Sequence, residues 1–101
     1  MKNLTGKAFR TNGTTFTILA TEAYPTDRIS DRYVELVGFG PGQLVAVPYR
    51  GICIPNITQN DGVMRLTKVE VNGQTYDRPK AISTALGVSQ PMHPYPLSEV
   101  T

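Results

Sequence analysis

The most apolar stretch of the chain spans residues 33–55, and its pattern is typical of β-strands. Polar and apolar residues alternate over residues 33–38, which predicts a strand with one buried face. A turn rich in glycine follows at residues 38–42. Residues 43–54 are apolar at both odd and even positions, so they predict one long strand that is covered on both faces. Pro48 cannot donate a main-chain hydrogen bond, and we therefore expect an edge or a bulge there.

Two Asn-Gly pairs, each between β-type runs, predict tight hairpins. A two-residue turn at the first pair, Asn12-Gly13, places Phe9 directly opposite Phe16. Residues that oppose each other across a hairpin share a face of the sheet. We therefore expect the two phenylalanine rings to form a cross-strand pair in the core.

The strand before the second pair, Asn72-Gly73, changes phase along its length. Met64 and Leu66 share one phase of the alternation, whereas Val69 and Val71 share the opposite one. One extra residue in a strand shifts the alternation of side chains in this way. We therefore predict a β-bulge near residues 67–68.

The pattern becomes helical after residue 77. Pro79 suits the first turn of a helix, Ile82 and Leu86 are four residues apart, and Gly87 is placed to end the helix. The sequence therefore predicts a helix over residues 80–86. A helix of two turns is too short to be stable alone, so we expect its apolar face to dock on the sheet.

The last twelve residues contain three prolines and favour an extended, polyproline-type path. Their apolar residues, among them Met92, Tyr95 and Leu97, favour docking of this tail on a neighbouring surface over disorder. A tail that docked on a neighbouring subunit would hold an assembly together at a small entropic cost, because its extended conformation is partly preformed.

These elements predict an all-β domain, a small barrel-like or sandwich fold of about six short antiparallel strands with one short C-terminal helix and extended arms. At 101 residues the chain is one domain. We expect an N-terminal arm at residues 1–6, the β domain at residues 7–88 and a proline-rich C-terminal arm at residues 89–101. The predicted strands are residues 7–11, 14–23, 33–38, 43–54, 63–71 and 74–77.

Charge and cysteine content narrow the class of protein. Ten basic residues against eight acidic ones give a formal net charge of +2, which is well short of a polycationic nucleic-acid binder. The single cysteine, Cys53, excludes an internal disulfide. The N-terminus lacks the apolar region of a signal peptide, and no run has the length of a membrane span. We therefore expect a cytoplasmic protein that does not enter a membrane.

Residues that carry enzyme chemistry are few and scattered. His93 is the only histidine, and Cys53 lies in an apolar run that is typical of a buried side chain. Asp27 and Asp31 are the one close pair of carboxylates, and each precedes an arginine, which favours the charged form and makes a poor general acid. We expect no enzyme activity, no metal site and no cofactor.

The most charged segment is residues 25–32, in which Asp-Arg occurs twice. It is either a solvated connection or a recognition loop for an anion or a protein partner. Together with the apolar tail it supplies the candidate partner-binding residues. They are Arg28, Arg32, Tyr49, Arg50, Met92, Tyr95 and Leu97.

The features above favour a non-catalytic protein-interaction or assembly module. It would be a homo-oligomer, or a component of a larger complex such as a viral one, held by its terminal arms. Fold by itself does not give function, so two alternatives stay open.

The first alternative is nucleic-acid binding by a small barrel of the OB, SH3 or Sm type, with Tyr33 or Tyr49 as a stacking surface. The second is binding of a small anionic ligand or nucleotide in an inter-subunit pocket built from Arg28, Arg32 and Arg50, since arginine forks suit phosphates. The basic groove of the first alternative would comprise Arg28, Arg32, Arg50, Arg65, Lys68, Arg78 and Lys80.

Overall fold

The computed structural model describes residues 4–24, 42–48, 50–55 and 63–100. Within these ranges the chain is mostly β, with antiparallel strands and one short helix, so the predicted all-β fold class is confirmed. The predicted strand at residues 33–38 lies outside the described residues. The elements are β1 (Ala8–Thr11), β2 (Thr14–Tyr24), β3 (Gln43–Val47), β4 (Gly51–Pro55), β5 (Val63–Val71), β6 (Gln74–Tyr76), α1 (Pro79–Leu86), β7 (Pro94–Pro96) and β8 (Ser98–Glu99).

The C-terminal strands connect the two edges of the sheet and so close it. Neighbouring strands follow the order β7-β3-β4-β5-β2-β1-β8, and β6 adds to β5 outside this path. The two outer strands, β7 and β8, are consecutive in the chain and are separated only by Leu97. The C-terminal residues therefore pair with both β3 and β1. This is the arrangement of a small barrel, in which edge strands find partners and are not left exposed.

Both Asn-Gly hairpins form as predicted. Asn12-Gly13 has positive φ angles of 54° and 75°, and Asn72-Gly73 has φ angles of 52° and 82°, as a two-residue turn of type I′ requires. Phe9 pairs with Phe16 across the first hairpin, and their ring centroids are 6.3 Å apart. Both rings are buried in the core. The local sequence thus determines this register.

The predicted bulge between β2 and β5 is confirmed. Ala20 pairs with Lys68, but the next residue of β2 pairs with Leu66, so the register skips Thr67. A second shift lies one step earlier in β2. As a result Leu66 and Val69 are both buried in the same hydrophobic cluster although their positions differ in parity.

The prediction of one long strand over residues 43–54 is wrong. The chain reverses between β3 and β4, because Val45 pairs with Cys53 and Val47 pairs with Gly51. The turn contains Pro48, which needs no main-chain donor there, and it is closed by a hydrogen bond from the Arg50 N–H to the carbonyl oxygen of Val47 at 3.0 Å. The apolar runs on either side of Pro48 are therefore two adjacent short strands.

Coverage of both faces of β3 is confirmed. Leu44 and Val45 point to opposite faces of the strand, and each is fully buried. Leu44 belongs to the main hydrophobic cluster, which lies inside the closed sheet and under α1. The cluster comprises Leu4, Phe9, Phe16, Ile18, Leu44, Ile52, Ile54, Met64, Leu66, Val69, Val71, Ile82, Leu86 and Val88.

The helix α1 agrees with the prediction to within one residue. Arg78 is the N-cap, Pro79 occupies the first turn, and Gly87 ends the helix with a left-handed φ of 70°. Ile82 and Leu86 are buried and dock the helix on the sheet. No helix in the described ranges is long and apolar enough to cross a membrane.

The described part of the predicted N-terminal arm is packed on the sheet. Leu4 is only 2% exposed and belongs to the core. The N–H of Gly6 donates to the carbonyl oxygen of Ile18 at 2.7 Å, and the N–H of Ile18 donates to Lys7 at 3.0 Å. These bonds extend the β1–β2 pairing towards the N-terminus.

Candidate functional site

Residues 90–100, the C-terminal segment, form a seam between two edges of the sheet. β7 pairs with β3, and β8 pairs with β1, both antiparallel. Three further main-chain hydrogen bonds lie before β7, between β7 and β8, and after β8. The N–H groups of Met92, Leu97 and Val100 donate to the carbonyl oxygens of Ala46, Gly42 and Ala8 at 2.8, 2.8 and 2.9 Å.

Two apolar side chains of the C-terminal segment face the chain's own core. Tyr95 and Leu97 pack against the hydrophobic cluster, and Met92 is half-buried. The Tyr95 hydroxyl accepts a hydrogen bond from the N–H of Gln90 at 3.3 Å, and the His93 ring meets the Tyr95 ring edge-on at 4.9 Å. The predicted tail is therefore docked, and the surface that it contacts is its own sheet.

The C-terminal segment begins with a tight turn at residues 90–93. The N–H of His93 donates to the carbonyl oxygen of Gln90 at 3.4 Å, Pro91 occupies the second position, and Met92 in the third position has a φ of 63°. This is the pattern of a type II turn, in which the third position favours glycine or asparagine. Met92 is therefore held in a left-handed conformation that is unfavourable for its side chain.

A cavity of about 350 Å³ lies beside the β3–β4 turn. We call it the Arg50 cavity. Its walls come from the end of β3 and the turn after it, from β4 and β5, from α1 and from the start of the C-terminal segment. The described residues that line it are Ala46, Val47, Pro48, Arg50, Gly51, Ile52, Arg65, Pro79, Ser83 and Pro91.

The two arginines of the Arg50 cavity differ in how firmly they are held. The Arg65 guanidinium forms an ion pair with the Glu22 carboxylate at 2.7 Å and contacts the carbonyl oxygen of Arg50 at 3.4 Å. Arg65 is thus fixed along the sheet. Arg50 is exposed at the turn, and no ion pair joins it to another described residue. No acidic residue is among the described residues that line the cavity.

Cys53 lies next to Arg65 in the pairing of β4 with β5 and is completely buried. Burial raises the pKa of its thiol to about 12, while the positive charges of Arg65 and Arg50 act in the opposite direction. The thiol is therefore neutral and unreactive at neutral pH. Both guanidinium groups nevertheless project a positive potential into this part of the sheet.

The structure describes four of the seven predicted partner-binding residues. Arg50 lines the cavity, while Met92, Tyr95 and Leu97 belong to the seam. The predicted residues Arg28, Arg32 and Tyr49 lie outside the described residues, as does Tyr33 of the nucleic-acid alternative.

The predicted basic groove is distributed over several elements. Lys68 is exposed on β5, whereas Arg78 and Lys80 lie at the start of α1, beside a second concavity of about 530 Å³ that also includes Tyr76. The sequence analysis put Arg50 and Arg65 in one predicted groove but gave no strand register that brings them together. The signal was Pro48, because a turn at this proline brings Arg50 back beside β5.

The fold and the sites define a small, closed all-β domain with a C-terminal seam and a basic cavity. Within the part of the chain that the structure describes, no group of three or more His, Cys, Asp or Glu residues is arranged to hold a metal ion. Comparison with family models, with curated proteins and with solved structures finds no match for this chain.

Proposed function

We propose that this chain is a non-catalytic assembly module whose copies associate by exchanging their C-terminal segments. In such an exchange, residues 94–100 of one copy occupy the seam of another, and the turn at residues 90–93 opens as the hinge. The observation that carries this proposal is the seam itself, because one short terminal segment pairs with two separate strands.

The chemistry of the seam supports exchange. Its hydrogen bonds join main-chain groups, which every copy presents in the same order. Tyr95 and Leu97 add apolar contacts that are equally available to a segment from a second copy. Exchange of an identical element creates few new contacts and is a low-cost route to a dimer.

The turn at residues 90–93 supports exchange as well. In the closed chain Met92 adopts a left-handed conformation, which is unfavourable by about 1–2 kcal/mol for a residue with a Cβ atom. An opened connection between α1 and β7 releases this strain. The closed form is favoured in turn because its segment is tethered to its own seam. The tether gives the segment an effective concentration on the order of millimolar there.

A cross-strand disulfide tests the proposal. Arg10 and Ser98 are exposed partners in the β1–β8 pairing, and such pairs have Cα atoms about 5.5 Å apart, which a disulfide can bridge. We expect the variant Arg10→Cys/Ser98→Cys, refolded and oxidised at rising concentration up to about 1 mM, to form a growing fraction of dimers with two intermolecular bridges and no free introduced thiol. Non-reducing electrophoresis and peptide mass mapping measure that fraction. Oxidation is started only after refolding, so native Cys53 can stay, because burial in the folded chain keeps its thiol neutral and inaccessible.

Two controls sharpen the test. The single variants Arg10→Cys and Ser98→Cys report dimers that arise from collision alone. Adding Met92→Gly to the double variant relieves the strained turn and should lower the dimer fraction. Bridges that remain intramolecular at every concentration, together with a monomeric mass by light scattering, would overturn the proposal.

A further inference from the structure

We propose that the Arg50 cavity binds a small organic anion, a carboxylate or a phosphate monoester attached to an apolar group of about one ring in size. This site is independent of the strand exchange proposed above. It differs from the pocket predicted from the sequence, because Arg65 is the second arginine and all described walls belong to one chain.

The walls of the Arg50 cavity are rigid. Pro48, Pro79 and Pro91 each present a ring that cannot change its backbone φ angle. Gly51 brings β4 so close to α1 that a Cβ atom there would lie 3.3 Å from the Cβ of Pro79. Six separate parts of the fold meet around the cavity, whereas the described residues that line the concavity beside Tyr76 all lie within residues 76–85. The Arg50 cavity is therefore preformed, as small-molecule sites usually are.

The chemistry of the lining selects the ligand. Most of the lining residues are apolar, which favours an apolar body, and the charged ones are Arg50 and Arg65. Arg65 is already paired with Glu22, so among the described lining residues the positive charge that an anion can neutralise is that of Arg50. Glu22 holds Arg65 in place from the side. The effect of both arginines on the Cys53 thiol is consistent with the same positive potential.

The size of the cavity sets the upper limit of the ligand. A volume of about 350 Å³ is at the lower end of the roughly 300–1,000 Å³ that is common for small-molecule pockets. It accommodates one ring or a branched chain with its acid group. A dinucleotide is too large for it.

Titration of the isotope-labelled full chain by ¹H–¹⁵N NMR tests this site. Phenyl phosphate and benzoate are the probes, and benzyl alcohol is the uncharged control of similar shape. We expect both anions to cause saturable shifts of the Ala46, Gly51, Ile52 and Ser83 amides. The alcohol should bind at least about tenfold more weakly, since a hydrogen bond between charged groups contributes this much to an affinity.

Matched variants separate a site from general attraction to charge. Arg50→Gln should weaken anion binding about tenfold, and Arg50→Lys should weaken it less, because lysine keeps the charge but loses the planar fork. Arg10→Gln removes an exposed arginine of β1 outside the cavity and should leave the affinity unchanged. Shifts that do not saturate, that spread over the surface or that are equal in Arg50→Gln would overturn the inference. The disulfide test of strand exchange does not depend on any of these results.

Discussion

At the scale of single residues, Gly51 determines how closely β4 approaches α1. Its φ angle is 92°, in a region that residues with a Cβ atom rarely adopt. A Cβ at this position would also lie 3.3 Å from the Cβ of Pro79 and 3.4 Å from the Cδ of Arg65. Both the backbone conformation and the available space therefore require glycine here.

We expect Gly51→Ala to lower the free energy of unfolding by about 2 kcal/mol, since backbone strain and crowding add. Gly6→Ala is the matched control. Gly6 has a nearly identical φ angle of 88°, but a Cβ there meets no atom within 4 Å, so only strain of about 1 kcal/mol should remain. Urea unfolding of both variants measures the difference. Equal losses would show that the contact with Pro79 has no energetic effect.

At the scale of elements, the first hairpin and the helix are joined by one side chain. The Asn12 side-chain amide donates to the carbonyl oxygen of Gly87 at 2.9 Å and so satisfies a group at the C-terminal end of α1. The same residue has the positive φ angle that its turn requires. Asn12 therefore connects two elements that lie 75 residues apart in the chain.

The two functions of Asn12 can be separated by Asn12→Gly, which keeps the turn and removes the hydrogen bond. We expect this variant to lose about 1 kcal/mol of stability, the usual contribution of one such bond. Asn72→Gly changes the equivalent residue of the second hairpin, which has a φ angle of 52°, and should change stability by only a few tenths of a kcal/mol. Thermal unfolding compares the two. A loss in Asn72→Gly as large as that in Asn12→Gly would contradict a stabilising role for the hydrogen bond between the first turn and α1.

At the scale of the whole molecule, the C-terminal segment closes the sheet. Without it, β3 and β1 would have unpaired main-chain groups, and the core beneath Tyr95 and Leu97 would be open to water. A domain of this size has a small stability margin, so the loss of one seam affects all of it.

We expect removal of residues 90–101 to abolish the cooperative thermal transition and to collapse the dispersion of the amide NMR spectrum. A synthetic peptide of residues 90–101, added in trans, should restore both in proportion to its occupancy. A peptide in which Tyr95 and Leu97 are replaced by serine is the control and should fail. A truncated chain that keeps its unfolding midpoint would show that the seam is not part of the stable core.

How far the sequence predicts this fold depends on the range of each interaction. The hairpin at Asn12-Gly13, the bulge near Thr67 and the helix that ends at Gly87 were predictable, because a few adjacent residues specify each of them. Pro48 was ambiguous, since the same residue suits both a strand edge and a turn. For this reason the β3–β4 hairpin, and with it the position of Arg50 beside Arg65, was missed.

The sequence by itself determined the two Asn-Gly hairpins, the bulge near Thr67 and the helix α1, because hydrophobic periodicity and turn chemistry act over a few residues. Only the tertiary structure decided where distant parts meet. The apolar residues of the tail indicate that it docks, but closure of the sheet selects β3 and β1 as its partners. The Arg50 cavity likewise exists only because a turn, three strands, the helix and the C-terminal segment converge in space.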